Sequence, residues 1–276
     1  MSNNTAINEI LAGLEAGQII PYLGTGIWAG ASTPPAHPAD HLQLVAKLTE
    51  RVTVSHKLRK NLTGAAQYIE NFKHRKTLVG LMKTAFENKS TPTDMHEFIA
   101  SLHKLPLVID AWYDDTMQLA LAQHPAWGQV QGVSQAEHHG EWVRYYTAQG
   151  ELTDAATAAK WQTLLYRPLG SSSPAQNYIV SDSDYVEILT EIDIQTPIPE
   201  IVQQRRVGKN FLFIGCRFAY QLDRIFAKQI MKRSSDKHWA IIEGELTRNE
   251  ARFLKEQNIT RLDVPISMLL NLEVTC

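Results

Sequence analysis

The C-terminal half of the chain alternates apolar runs with helical patterns, and this alternation limits the available folds more than any other feature. "NFLFIGCRF" (210–218) reads as a buried strand and "YQLDRIFAKQIMK" after it as a helix. "HWAIIEG" is a strand, "LTRNEARFLKEQN" a helix and "ITRLDVPI" a last strand. Strands separated by helices build a parallel sheet with both faces covered. The pattern predicts an α/β fold: a Rossmann-like, mainly parallel sheet with helices on both faces and a helical subdomain insertion.

The N-terminal half fills in the rest. Ile7, Ile10, Leu11 and Leu14 recur at helical spacing within 6–17, with Gly17 as a stop. "QIIPYLG" reads as a buried strand whose Pro21 favours a sheet edge or a strand end. Helical patterns over about 40–52, 61–72, 74–88 and 93–103 define a subdomain at roughly 35–104. "LPLVIDAWYDD" (105–115) is a second buried strand, and "DTMQLALAQ" continues as a helix. Residues 126–160 are rich in Gln, His, Trp, Gly and Ala and read as a peripheral insert. Its "TDAATAAKWQTLL" predicts a helix capped by Thr153 or Asp154. "LLYRPLGSSSP" is a strand entering a loop, and "SDSDYVEILTEI" a helix with an acidic first turn. A chain of 276 residues suits one domain over 1–276 carrying these insertions.

Composition removes several classes. A formal net charge of −2 is not that of a polycation, so no nucleic-acid partner is expected, and "MKRSSDKH" (231–238) reads as solvated surface. Two cysteines, Cys216 in an apolar run and Cys276 at the end, make no disulfide framework, and Cys216 reads as a small core hydrophobe. "MSNNTAINEI" has no basic region before an apolar stretch, and nothing approaches the roughly 20 apolar residues of a membrane span. The expectation is a cytoplasmic protein without a membrane partner.

Four stretches carry candidate chemistry. Gly24, Thr25 and Gly26 follow the first strand, where exposed backbone N–H groups make an anion seat. Ala29 stands where a G-x-G-x-x-G loop would place its third glycine, so spacing alone leaves a tight structural turn and a phosphate seat both open. In "AWYDD", Trp112 and Tyr113 suit stacking on a flat ring, and Asp114 or Asp115 suits ribose hydroxyls; core packing and helix capping are the plain alternative. "YRPLGSSSP" offers serines without a base beside them and lacks the G-x-S-x-G elbow, so it reads as a loop. His138 and His139 are adjacent and point apart, while His96, Glu97 and His103 lack the HExxH spacing, so no metal site is expected.

Taken in order, these pieces resemble the Sir2-like domains, the NAD-consuming fold shared by sirtuin deacylases and bacterial antiphage NADases. The resemblance runs from about 18 to 270. "YLGTGIW" resembles the phosphate loop G-A-G-x-S, and "LVIDAWYDD" a strand followed by T-T-N-Y-D. "YRPLGS" is similar to K-L-H-G-S, "YIVSDSDYVEIL" to the helix after it, and "FLFIGCRF" to a later strand ending in G-Y-S. The resemblance implies NAD or an ADP-ribose derivative as ligand. It implies contacts from Gly24, Thr25, Gly26, Trp112, Tyr113, Asp114, Gly170, Ser171, Gly215, Cys216 and Arg217.

The departures fall on the reactive positions. Trp112 replaces the asparagine that positions the nicotinamide ribose and its water, and Leu169 replaces the histidine that acts as general base. Trp28 replaces the serine closing the first loop. An indole is a donor only, and leucine takes no proton. Loss of a general base alone costs about 10²–10⁴ in rate. The resemblance therefore implies a catalytically degenerate nucleotide-binding protein, a sensor or a partner subunit of a separate protein chain. A homo-oligomer is compatible with it. One alternative is an active NAD glycohydrolase using His139 of the His139–Gly140 pair, 27 residues after Trp112. Another is an interaction scaffold in which Trp28 and Trp112 fill the crevice. The zinc module of two C-x-x-C pairs cannot be built from two cysteines, so zinc-type deacylation is not expected.

Overall fold

The computed structural model describes residues 3–194 and 196–271; Cys276 lies outside them. The chain begins with α1 (Asn3–Glu15), β1 (Ile19–Leu23), α2 (His41–Leu48), α3 (Leu62–Lys73), α4 (Arg75–Ala85), α5 (Asp94–Ser101), β2 (Leu107–Asp110) and α6 (Thr116–Ala120). It continues with β3 (Trp127–Gly132), β4 (Val143–Thr147), β5 (Leu152–Thr153), the single turn α7 (Ala155–Ala158), β6 (Thr163–Arg167), and the small hairpin β7 (Gly170–Ser171) and β8 (Asn177–Tyr178). Then follow α8 (Asp182–Glu191), α9 (Glu200–Arg205), β9 (Asn210–Ile214), α10 (Gln221–Met231), β10 (His238–Ile241), α11 (Arg248–Glu256) and β11 (Ile259–Leu262).

One nine-stranded sheet runs β11-β10-β9-β1-β2-β6-β3-β4-β5. Pairs from β11 across to β3 are parallel, and only β3–β4 and β4–β5 are antiparallel. Side chains alternate across the strands. Ile20, Tyr22, Phe211 and Phe213 enter one core with α2, α3, α4, α8, α10 and α11. Ile19, Leu23, Leu212 and Ile214 enter a second core with α1, α5 and α6. The α/β architecture with helices on both faces is thus as the strand–helix alternation predicts.

One local expectation is corrected. Pro21 is neither at an edge nor at a strand end: it lies inside β1, in register with Leu212 of β9. Its missing N–H falls on the β2 side, where pairing begins only at Tyr22, so no ladder bond is lost. The segment 126–160 supplies β3 to β5, the outermost strands at one edge of the sheet. Gly128, Gln129, Gln131 and Gly132 hid β3 by interrupting its apolar pattern, although all six of its residues are buried. The helices between 41 and 101 also divide. α2, α3 and α4 form one unit, whereas Met95 and Ile99 of α5 pack on the opposite face with α1.

β1 sits at the point where the topology turns, with β2 on one side and β9, reached much later, on the other. Open α/β sheets hold ligands outside the carboxyl ends of their strands at such a point.

Candidate functional site

The turn after β1 is short because it touches the turn after β9. Gly24 N–H donates to the Ile214 carbonyl at 2.9 Å, and Gly26 N–H to that of Gly215 at 2.8 Å. A Cβ at Gly24 would lie 2.7 Å from the Gly215 oxygen, and one at Gly26 2.8 Å from the same atom. Gly215 itself has φ +67°. These glycines are therefore required by backbone-to-backbone packing. Thr25 N–H makes no hydrogen bond among the described residues, at the start of a 3-10 turn spanning Thr25–Trp28.

A cleft opens beside this turn at the carboxyl ends of β1, β2 and β9. Gly24, Thr25, Ala111, Leu169, Cys216 and Arg217 line it, together with His41, Tyr185 and Asp223 from helices α2, α8 and α10. Its free volume is about 50 Å³, room for a few waters. Burial pushes the Asp223 carboxyl up to about 7, opposed by Arg224. Burial lowers His41 to about 4, so its imidazole is neutral at pH 7. The Cys216 thiol is driven well up, chiefly by burial and then by Asp223, so it stays protonated and unreactive.

Beside the cleft lies a second, buried group built from the 33–40 loop and the segment after β2. Trp112 is 2% exposed, and its Nε1 donates to the Pro38 carbonyl at 2.9 Å. Its ring meets His41 and Phe86 edge-on. His37 packs against Phe86 and Trp28, and Trp28 against His96, so a continuous row of rings fills this space. His37 Nε2 lies 3.7 Å from Asp114 Oδ1. Burial lowers His96 to about 4. Burial would raise Asp114, but His37 and Arg167 hold its carboxyl below the ordinary range. Asp110 goes the other way, up to about 7, because burial outweighs Arg167 at 3.3 Å. The fully buried Arg167 also donates to the carbonyls of Trp112 and Asp114, fixing the path of the chain after β2.

The structure separates the residues that the sequence grouped. Gly24, Thr25, Cys216 and Arg217 reach the cleft, with Gly26 and Gly215 in its wall turns. The Arg217 guanidinium is not free for a phosphate: it pairs with Glu250 at 2.7 and 3.0 Å and donates to the Glu245 carbonyl. Tyr113 is buried and donates to the Ile179 carbonyl at 2.7 Å, so it offers no stacking face. Trp112 likewise is packed in the row of rings and not presented to a ligand. Gly170 and Ser171 are buried in the β7–β8 hairpin, and of that loop only Leu169 reaches the cleft. His139 is exposed in the turn between β3 and β4 and does not line the cleft.

Sequence reasoning missed His37, His41, Asp223 and Arg167. Two signals were readable: an arginine ending an otherwise apolar strand, and an aspartate in the first turn of the helix after the clearest strand. The histidines gave none, because loop geometry alone brings them in.

The family model for SIR2-like domains matches residues 106–262, more than half of the chain. The protein belongs to the SIR2-like domain family. Among solved structures, one reported as "Structural Basis for the Mechanism and Regulation of Sir2 Enzymes" is similar at 12% identity and a TM-score of 0.42, over 96% of this chain and 94% of that chain. No curated protein matches this chain. Among the described residues no helix is long and apolar enough to cross a membrane.

Proposed function

We propose that this protein holds an ADP-ribose-type nucleotide, NAD or a derivative, at the carboxyl edge of its sheet without efficient hydrolysis. One observation carries the reading: the cleft keeps a free Thr25 N–H and an Asp223 carboxyl group with no hydrogen bond among the described residues, beside Leu169 and the packed Trp112. The residues fit the group unevenly. An N–H suits a phosphate oxygen and a carboxylate suits ribose hydroxyls. On this reading the packed row of Trp28, His37, Phe86 and Trp112 takes the place a nicotinamide ring would need. An ADP-ribose moiety would therefore be held better than intact NAD. With about 50 Å³ free, binding requires the His41 side of the cleft to move outward.

Titration calorimetry with ADP-ribose and NAD tests this. The expected result is binding of both, tighter for ADP-ribose, with no nicotinamide released on prolonged incubation. Silence with either ligand at millimolar concentration would remove the nucleotide reading. Release of nicotinamide would remove the degenerate one, and His41→Gln would then ask whether the cleft imidazole is the base. The small free volume favours one second reading, an interaction scaffold in which the aromatic row has replaced the ligand. It predicts no binding by any nucleotide.

A further inference from the structure

The whole-chain charge of −2 conceals a separation. Residues 41–85, the unit formed by α2, α3 and α4, hold nine Lys and Arg against two Asp and Glu, a net +7 that leaves −9 for the remainder. Two of the nine cations are compensated, Lys47 by Glu50 and Arg75 by Glu70 together with Glu137 and Asp184 from outside the unit. Lys57, Arg59 and Lys60 are exposed and make no ion pair among the described residues.

These three cations sit on a short 3-10 turn, His56–Lys60, that packs on α3. Leu58 of that turn covers Gly64, whose absent Cβ would lie 3.1 Å from the leucine methyl. Tyr68 and Phe72 follow Gly64 at intervals of four residues, so they lie on the same side of α3, about 6 and 12 Å further along. Their rings are 4.5 Å apart, and Phe72 is 64% exposed. Lys73 is exposed beside it. The result is a cationic turn followed along α3 by an exposed Phe72, backed by a half-buried Tyr68 that packs on the core, with Lys73 next to it in the chain.

We infer that this outer face of α3 binds single-stranded nucleic acid, with Lys57, Arg59 and Lys60 along the phosphates and a base stacked on Phe72. A cationic groove with exposed rings is the general solution for strands whose bases are unpaired, because every base has a stacking face. A protein partner would have to bring both a row of carboxylates and a socket for Phe72, whereas each nucleotide supplies a charge and a flat face together. The net +7 also raises the local concentration of a polyanion before contact.

Fluorescence anisotropy of labelled oligothymidylate and oligouridylate with the full chain tests the inference. Three phosphate contacts predict an affinity that falls about 20-fold between about 50 and about 200 mM salt. Phe72→Ala should weaken binding about tenfold by loss of one stacked base. The triple change Lys57→Glu, Arg59→Glu, Lys60→Glu should abolish it with circular dichroism unchanged. Changing Lys228, Lys232 and Arg233 to Glu, in the basic segment at the end of α10, should leave it intact. No anisotropy change at about 100 µM protein in low salt, where even non-specific binders respond, overturns the inference. So does equal loss with the second triple, or indifference to Phe72→Ala, since either means mere cation exchange. Light scattering that shows a salt-sensitive dimer lost with the first triple would assign the face to a second copy instead.

Discussion

The two sides of the crevice have been treated differently by this sequence. On the side of the β1 and β9 turns, geometry is held by backbone: glycines, N–H groups and carbonyls in close contact. On the side after β2, the space is filled by side chains, Trp28, His37, Phe86 and Trp112, around a buried Arg167. The backbone side is required by the sheet's own packing, whatever the cleft holds. The side-chain side is held by interlocking rings, so its geometry depends on the volume those side chains fill.

The strongest way to break this contrast is Gly215→Ala. Its Cβ would lie 2.2 Å from Ile27 N, and the φ of +67° disfavours any side chain. We expect a loss of at least about 3 kcal/mol, read by chemical denaturation. A variant as stable as the parent would show that the two turns are not in contact.

Trp112→Ala probes the other side and is expected to cost about 3 kcal/mol, from the cavity and the lost bond to the Pro38 carbonyl. It should at the same time tighten NAD binding by opening the space beside His41. Lost stability with unchanged affinity would mean that the indole is not what closes the crevice.

The smallest effect is one of pH. His41 is held near 4 against an ordinary 6.5, so its folded pKa is depressed. Its contribution is present above pH 6.5 and disappears as pH falls toward 4. Asp110 and Asp223, held near 7 against 3.8, act oppositely: theirs is present at low pH and disappears as pH rises toward 7. His41→Gln removes the first share alone, so the variant should lose about 1–2 kcal/mol less than the parent between pH 6.5 and 4. Identical curves for parent and variant would show that His41 is solvated.

Much of the fold was legible because strands and helices announce themselves by period. Ile19, Ile20, Tyr22 and Leu23, or the run Phe211–Ile214, bury every residue, and only a sheet covered on both faces does that. β3 was not legible, since the buried Gln129 and Gln131 break its apolar run and are held by side-chain bonds no local pattern shows, Gln131 Nε2 donating to Gln129 Oε1 at 2.9 Å and Asn177 Nδ2 to Gln131 Oε1 at 2.9 Å. The candidate site was half legible. Its glycine turn is local, whereas His37 and His41 come from the loop before α2 and its first residue, and Asp223 from α10 beyond β9, so no one segment shows them together.

By itself the sequence determined the α/β class, the place of the turn after β1 and the lack of an imidazole at Leu169, because period and residue identity are properties of one segment. Only the tertiary structure decided that Arg217 serves Glu250, that Trp112 is packed away and that His139 stays outside. Those outcomes depend on which distant surfaces meet, and no local pattern encodes them.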